Sequence, residues 1–356
     1  MFIGICGNIF AGRNGVTDYL VSQHGFTRLY LRTAPPTTQP AANGHQTRLS
    51  VAGDEIPAEH IFDSPSTLLD FATKNWRLDW VTAGIPSEAV LDLYARRPFF
   101  LLISVDAPLT VRFARHLAAQ ERLHPSAPPT SLAAFAIQSD AILYHPHTGQ
   151  LPLMSRASIR LVNLAASLPA LHRALTALDL LNPSRLRPTW DAYFMSLASL
   201  AARRSNCMKR RVGCVVVRDH RVVSTGYNGT PRGLVNCGEG GCARCNAGEG
   251  AGQGLATCLC IHAEENALLE AGRERLRDGA VLYCDTCPCL TCSIKIVQVG
   301  IGEVVYSQGY SMDGDTAAVF REGGVRLRQY VPPVNGLIQI EDDMPGEKTS
   351  GTPFNP

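Results

Sequence analysis

The segments His262-Ala263-Glu264 and Pro288-Cys289-Leu290-Thr291-Cys292 decide the fold of the C-terminal half of this 356-residue chain. They bring together one imidazole and two thiols, which is a ligand set that zinc prefers. Three protein ligands leave a fourth position for water, as in catalytic rather than structural zinc sites. The pattern therefore predicts that His262, Cys289 and Cys292 hold a catalytic zinc ion.

The same two segments also predict how such a site would work. Zinc can lower the pKa of a bound water to about 7, and Glu264 lies two residues beyond the first ligand, where its carboxylate can move a proton. Both segments open predicted helices, whose unpaired N–H groups favour thiolates, and the spacing of Cys289 and Cys292 puts both sulfurs on one helix face. The alternative is a four-cysteine cluster in which Cys284 and Cys287 join Cys289 and Cys292. It would leave the His-x-Glu pair without a role.

The composition fits two soluble globular domains, because 45% of the residues are hydrophobic and 18% are charged. A net charge of +2 shows no basic excess of the kind that marks nucleic-acid or membrane-surface proteins. The opening Met-Phe-Ile-Gly-Ile-Cys-Gly is not typical of a signal peptide, and we find no apolar run long enough to span a membrane. We therefore expect a cytoplasmic or nuclear protein that is not secreted.

The order of the predicted elements indicates an α/β fold in both halves. In the C-terminal half, a helix capped by Thr189 precedes a hairpin that turns at Asp219-His220, and helices then alternate with strands. This order predicts a three-layer α/β/α sandwich. We predict an N-terminal domain at residues 1–181, a linker at 182–188, a C-terminal domain at 189–331 and a disordered tail at 332–356. A Pro- and Gly-rich stretch, Thr33 to Pro57, is predicted to be a loop or insertion.

The cysteines are unevenly placed, since eleven of the twelve fall between Cys207 and Cys292. In a reducing compartment such clustering favours metal binding over disulfides. Cys242-x-x-Cys245 followed by Cys258-x-Cys260 resembles a zinc knuckle within a loop that has little apolar content. Cys6 and Cys214 are predicted to be core residues.

The C-terminal half, from about Thr189 to Tyr330, resembles the deoxycytidylate (dCMP) deaminases of the zinc-dependent cytidine deaminase superfamily, and looks closest to the fungal form. The His-x-Glu…Pro-Cys-x-x-Cys pair is the signature of zinc deaminases that act on nucleobases. The stretches that carry the resemblance are Ser205-Asn206-Cys207-Met208-Lys209-Arg210-Arg211-Val212-Gly213-Cys214, Gly226-Tyr227-Asn228-Gly229-Thr230-Pro231, Cys260-Ile261-His262-Ala263-Glu264-Glu265-Asn266-Ala267 and Pro288-Cys289-Leu290-Thr291-Cys292.

The resemblance implies hydrolysis of dCMP to dUMP and ammonia, which supplies dUMP for dTMP synthesis, with Glu264 as the proton shuttle. It also implies a homohexamer that dCTP activates and dTTP inhibits. Asn228 and Gly229 match a family segment that handles nucleotide. A second, structural zinc is implied at Cys207, Cys237 and Cys260; for its fourth ligand we predict Cys245, with Cys242 as the alternative.

A basic stretch could bind the 5′-phosphate of the substrate, an effector triphosphate or a polynucleotide. A polynucleotide site would be expected to add stacking aromatic residues, and none is interleaved between Arg203 and Arg221. Two alternatives to a dCMP deaminase stay open: a deaminase of tRNA or single-stranded nucleic acid, and a non-catalytic, zinc-stabilised nucleotide sensor. The basic residues are Arg203, Arg204, Lys209, Arg210, Arg211, Arg218, Arg221 and Arg232.

The N-terminal half resembles a P-loop nucleotide kinase in layout. A strand-like run precedes Gly7-Asn8-Ile9-Phe10-Ala11-Gly12-Arg13-Asn14, and a helical pattern follows it. Arg13 and Asn14 stand where the phosphate-binding pattern requires Lys and Ser or Thr. We therefore expect a degenerate P-loop-kinase-like domain without kinase activity.

Overall fold

A computed structural model describes residues 1–32, 48–51, 54–83, 85–250, 253–276, 279–309, 314–332 and 336–341. The chain divides into two compact units between Leu186 and Arg187, inside the predicted linker. The strand Gly336–Ile340 is part of the first unit rather than the second. Within the described ranges, none of the helices has the length and apolar character that a membrane span requires.

The first unit is an α/β unit built on a parallel sheet. Its helices are α1 (Arg13–His24), α2 (Pro65–Lys74), α3 (Glu88–Ala95), α4 (Leu109–Leu123), α5 (Leu132–Leu143), α6 (Gln150–Ser155) and α7 (Leu168–Ala177). Its strands are β1 (Phe2–Gly7), β2 (Thr27–Arg28), β3 (Tyr30–Leu31), β4 (Arg48–Val51), β5 (Asp54–Pro57), β6 (Ile61–Phe62), β7 (Trp80–Ala83), β8 (Phe100–Asp106), β9 (Ile159–Asn163) and β15 (Gly336–Ile340).

Six strands form the main sheet of this unit, in the order β15-β9-β8-β1-β7-β2. All neighbouring pairs are parallel. Strand β1 is central and buried along its whole length, which is why it reads as a continuous apolar run rather than an alternating one. The predicted sequence of strand, glycine loop and helix is confirmed here as β1, residues 8–12 and α1.

One prediction about an irregular segment of this unit is wrong, and another is refined. Residues 332–356 were expected to be a disordered tail, but Gly336–Ile340 pairs with β9, and Ile340 is buried in the core. The Pro- and Gly-rich composition around this strand conceals its short apolar run. The predicted loop from Thr33 to Pro57 contains the antiparallel pair β4 and β5. The rest of both predictions, at 33–47, 52–53, 333–335 and 342–356, lies outside the described residues.

The second unit is the predicted three-layer α/β/α sandwich. Its helices are α8 (Trp190–Ala202), α9 (Ala243–Asn246), α10 (Ala263–Ala271), α11 (Leu290–Gln298) and α12 (Gly314–Glu322). Its strands are β10 (Gly213–Arg218), β11 (Arg221–Tyr227), β12 (Val281–Thr286), β13 (Glu303–Gln308) and β14 (Arg326–Gln329). They form one mixed sheet in the order β11-β10-β12-β13-β14.

Alternation along β10 distributes its side chains between the two helical layers. Val215 and Val217 pack with Phe194 of α8 on one face, whereas Cys214 and Val216 pack with α10, α11 and α12 on the other. This is the period of two expected of a strand between two layers. The prediction that Cys214 is a core residue is confirmed, since it is fully buried.

A glycine fixes the distance between the sheet and helix α10. A Cβ atom on Gly226 would lie 2.2 Å from the carbonyl oxygen of Ala263 and 2.5 Å from the backbone nitrogen of Ala267. Only glycine allows so close an approach. The Ser224 hydroxyl donates a hydrogen bond to the Ala267 carbonyl at 2.8 Å, which ties the same strand to the same helix. The first turn of α10, which carries Glu264, is thereby held against β11.

Candidate active site and metal centres

The predicted ligands meet where two helices begin. His262 is the N-cap residue of α10, and Cys289 is the N-cap residue of α11, with Cys292 in its first turn. The Nδ1 atom of His262 lies 3.4 Å from the sulfur of Cys289 and 3.3 Å from that of Cys292. The three ligand atoms all lie within 4.8 Å of one another.

This geometry fits a zinc ion. Zinc bonds of about 2.0 Å to nitrogen and about 2.3 Å to sulfur, at tetrahedral angles, place the two ligand atoms about 3.5 Å apart. The observed N···S distances are close to that value. The competing ligand Cys284 lies in β12 opposite Cys214 and is not a member of this group. The residues therefore form a three-ligand set, which leaves one coordination position of a tetrahedral ion for water or substrate.

The two thiols of the site differ: the surroundings of Cys289 favour a thiolate, whereas a hydrogen bond with Cys289 and burial raise the pKa of Cys292. Hydrogen bonds from Cys292, His262 and Thr291 lower the pKa of Cys289 to about 3, against the opposing effect of burial. The hydrogen bond to Cys289 raises the pKa of His262 in turn. The proton in the hydrogen bond between Cys289 and His262 is released when a metal ion binds both side chains.

Glu264 is the buried carboxylate of the site, with 4% of its surface exposed. Burial raises its pKa to about 7, because a charged carboxylate is poorly solvated there. At neutral pH the group therefore exists in both protonation states, as a proton shuttle requires. The next residue differs, because the Glu265 carboxylate accepts a hydrogen bond from the His262 backbone N–H at 2.9 Å and forms an ion pair with Lys295.

Comparisons with known proteins agree with this geometry. Residues 188–308 match a family model described as the cytidine and deoxycytidylate deaminase zinc-binding region. The deoxycytidylate deaminase of Schizosaccharomyces pombe is 46% identical over 336 residues, which cover 94% of this chain and 99% of that protein. The chain belongs to the deoxycytidylate deaminase family.

Two further comparisons show how much of the chain is matched. The deoxycytidylate deaminase of Saccharomyces cerevisiae is 42% identical over 339 residues, which cover 93% of this chain and 96% of that protein. Both yeast proteins therefore match the first unit as well as the second. A crystal structure of the dCMP deaminase from cyanophage S-TIM5 in complex with dCMP and dUMP is 30% identical and covers 39% of this chain and 94% of that chain, with a TM-score of 0.31.

The family segment with Asn228 and Gly229 lies beside the ligand His262. Gly229 and Ile261 form an antiparallel bridge with N···O distances of 3.2 and 2.9 Å, and Ile261 directly precedes that ligand. A Cβ on Gly229 would lie 2.3 Å from the side-chain oxygen of Asn206, so that a larger residue would displace this side chain. The backbone of this segment therefore helps to fix the entry into α10.

The Asn228 side chain is buried and engages neighbouring protein groups. Its oxygen accepts hydrogen bonds from the Ser205 hydroxyl at 2.7 Å and from the Val212 backbone N–H at 2.8 Å. Its amide donates to the Arg210 carbonyl oxygen at 2.7 Å. In this structure Asn228 organises residues 205–212, and a contact between Asn228 or Gly229 and nucleotide stays a prediction.

Sequence reasoning did not identify Asp285, which stands near the end of β12. One of its carboxylate oxygens accepts a hydrogen bond from the Gly213 backbone N–H at 3.2 Å. Burial raises its pKa to about 6, and its charge also acts on Glu264. Asp285 is half-buried between the buried Cys284 and Thr286, and an acidic residue at the end of a buried strand was the available signal.

A second group of cysteines lies around the loop between β11 and α10: five of them are in this loop, and Cys207 lies between α8 and β10. The four ligands predicted for a structural zinc, Cys207, Cys237, Cys245 and Cys260, are brought together with every sulfur within 4.8 Å of the others. Two more cysteines join them: Cys242 and Cys258 form a second group of four with Cys245 and Cys260. We call these six residues the six-cysteine cluster. The sequence placed all six in or beside one loop but did not indicate that they form two overlapping groups.

The predicted basic stretch is dispersed over several elements. Arg203 and Arg204 follow α8, while Arg218 and Arg221 flank the hairpin turn between β10 and β11. Arg210 donates a hydrogen bond to the Gln308 side chain at 3.1 Å, and its charge lowers the pKa of Asp285. Arg210 is therefore the member of the stretch that the structure links to the groups around Glu264.

The glycine loop of the first unit is occupied by protein groups. The Arg115 guanidinium donates hydrogen bonds to the carbonyl oxygens of Ala11, Asn163 and Ala165 at 3.2, 3.2 and 2.8 Å. The Asn163 amide donates to the Ala11 carbonyl at 3.0 Å, and a Cβ on Gly12 would lie 2.3 Å from that amide nitrogen. Carbonyl oxygens of this loop thus face a cation from the chain itself.

Proposed function

We propose that this protein catalyses the hydrolytic deamination of dCMP to dUMP and ammonia. The observation that carries the proposal is a buried carboxylate, Glu264, next to a three-ligand metal site formed by His262, Cys289 and Cys292. A chain 46% identical over nearly its whole length is a deoxycytidylate deaminase, which supports the choice of substrate. The dUMP formed would supply dTMP synthesis.

The residues of the site have distinct tasks in this reaction. His262, Cys289 and Cys292 would hold a zinc ion, which when bound would lower the pKa of a water molecule so that it could lose a proton at neutral pH. Glu264 takes that proton and delivers it to N3 of the pyrimidine, and the second water proton goes to the departing amino group. The water oxygen bonds to C4, the C4–N4 bond breaks, and ammonia leaves. A carboxylate whose pKa is about 7 can both accept and return protons without a large energetic cost.

We also propose that the six-cysteine cluster binds structural zinc. Family resemblance and the clustering of Cys207, Cys237, Cys245 and Cys260 support a structural ion there in addition to the catalytic one. The first unit is proposed to be a P-loop-kinase-like scaffold without phosphoryl transfer. The absence of lysine from residues 7–14 and the contacts of Arg115 with the loop carbonyls support this assignment.

Regulation and assembly are proposed on the resemblance alone: dCTP as activator, dTTP as inhibitor, and a homohexamer in the cytoplasm or nucleus. The basic residues between Arg203 and Arg232 offer charges that could bind the phosphates of substrate or effector.

The decisive experiment measures ammonia release from dCMP, CMP, deoxycytidine and a cytosine-containing oligonucleotide. We expect turnover of dCMP, with less from CMP and deoxycytidine, which differ from it by the 2′-hydroxyl and by the missing phosphate. Activity on the oligonucleotide alone would replace the proposal with a nucleic-acid deaminase. No activity on any of the four substrates, in protein with zinc bound, would favour a nucleotide sensor.

A further inference from the structure

The six-cysteine cluster is arranged for two metal ions rather than one. Its sulfurs fall into two groups of four, Cys207, Cys237, Cys245 and Cys260, and Cys242, Cys245, Cys258 and Cys260. The two groups share the sulfurs of Cys245 and Cys260, which lie 4.0 Å apart. Two tetrahedra that share one edge have this connectivity.

The distances between the sulfurs match tetrahedral metal coordination. A tetrahedral zinc with four Zn–S bonds of about 2.3 Å places its sulfurs about 3.8 Å apart. The sulfur of Cys258 lies 3.9 Å from that of Cys242 and 3.8 Å from that of Cys245. A disulfide would need about 2.05 Å, and all six cysteines are free thiols.

Hydrogen bonds to the sulfurs support thiolates in both groups. The Met208 backbone N–H donates to the sulfur of Cys237, and the Leu259 backbone N–H donates to that of Cys242, each at 3.4 Å. Such N–H···S bonds stabilise negative charge on sulfur. Six thiolates with two Zn²⁺ ions carry a net charge of about −2. The Arg244 guanidinium lies beside this charge, with a nitrogen 3.9 Å from the sulfur of Cys258.

Packing gives an independent reason for metal in this loop. The buried cluster of the loop consists of cysteines: Cys237, Cys242 and Cys245 are its buried members, with the other three packed against them. The large apolar side chains of the same loop are largely solvent-exposed instead, namely Leu234, Val235, Leu255 and Leu259. Six small thiols bury too little apolar surface to order more than thirty residues, whereas metal binding can supply that free energy.

We propose that the six-cysteine cluster holds two zinc ions, with the thiolates of Cys245 and Cys260 bridging them. Cys207 and Cys237 complete the coordination of one ion, and Cys242 and Cys258 complete that of the other. The proposal goes beyond the deaminase activity, since it concerns a structural centre whose test is metal content and not turnover.

The test counts zinc in the cluster without the catalytic ion. The full chain with Cys289→Ala and Cys292→Ala is loaded with zinc under reducing conditions and freed of excess metal. Its zinc content per chain is then measured by inductively coupled plasma mass spectrometry. We expect two zinc ions per chain. Adding Cys258→Ser should remove at least one of them, whereas the matched control Cys6→Ser, which changes a buried cysteine of the first unit, should remove none. One zinc or none before Cys258→Ser is added would overturn the proposal.

A second measurement uses the unmodified protein and does not depend on how the variants fold. Two ions bound to the same sulfur at about 2.3 Å each lie less than about 4.6 Å apart. X-ray absorption at the zinc edge should therefore show a zinc–zinc scattering path within that distance. If the path is missing from fully loaded protein, the bridging arrangement is rejected.

Discussion

Replacing Glu264 by Gln should lower kcat for dCMP deamination by about 10²- to 10⁴-fold, the usual contribution of a positioned general acid or base. This corresponds to about 2.7–5.5 kcal/mol of activation free energy. The structure supports the full effect for two reasons: the side chain is buried, and its pKa of about 7 lets it exchange protons at neutral pH. Gln fills the same space but cannot carry a proton between two sites.

The assay is ammonia release at saturating dCMP, with zinc content and thermal unfolding measured on the same samples. Glu265→Gln is the matched control, because it makes the same change one residue further on, at a carboxylate that caps α10. Gln can still accept the hydrogen bond from the His262 backbone N–H, so helix α10 keeps its cap and kcat should fall by less than about tenfold, or about 1.4 kcal/mol. If Glu264→Gln keeps more than about a tenth of wild-type kcat with zinc bound, Glu264 is not the proton shuttle.

Three further changes test the packing of each unit. Gly226→Ala would press a methyl group against the Ala263 carbonyl, so α10 must shift, and we expect kcat to fall about 100-fold in the same assay. Asp191→Ala removes the partner of Arg328 and should lower the unfolding free energy in urea by about 1.5–3 kcal/mol at pH 7. Because Arg328 holds the pKa of Asp191 below its usual value, this difference should shrink as the pH falls below about 4. Arg115→Ala removes several hydrogen bonds to loop carbonyls and should lower the unfolding temperature of the first unit but leave zinc content unchanged.

The positions of the active-site helices could be predicted from the sequence because local signals determine them. The segments with His262 and Pro288 are predicted to open helices, and α10 and α11 begin at Ala263 and Leu290, directly after His262 and Cys289. The hairpin turn was also predicted correctly. Asp219 and His220 both adopt positive φ angles, of 49° and 57°, as a two-residue turn between twisted strands requires.

The features that the sequence did not reveal depend on contacts between distant segments. The strand at Gly336–Ile340 exists because β9 offers it an edge more than 170 residues earlier in the chain. The sequence around Asn228 matches a family segment that handles nucleotide. The Asn228 side chain instead accepts hydrogen bonds from Ser205 and Val212, which come close to it only in the folded chain. The second group of four in the six-cysteine cluster was hidden for the same reason, since spacing alone does not show which sulfurs are shared.

The six-cysteine cluster and the active site are joined by one short piece of backbone. Cys258 and Cys260 are ligand candidates in the cluster, and Ile261 pairs with Gly229 directly before His262 caps α10. Metal bound by the cluster, as proposed, would therefore fix the segment that delivers His262. The described part of this loop offers no apolar core for the task, since Leu234, Val235, Leu255 and Leu259 are exposed. Under the proposed metal binding, the cysteines of the second unit would serve one active site in two ways: Cys289 and Cys292 as ligands of the catalytic ion, and the six-cysteine cluster as the centre that would hold the loop in place.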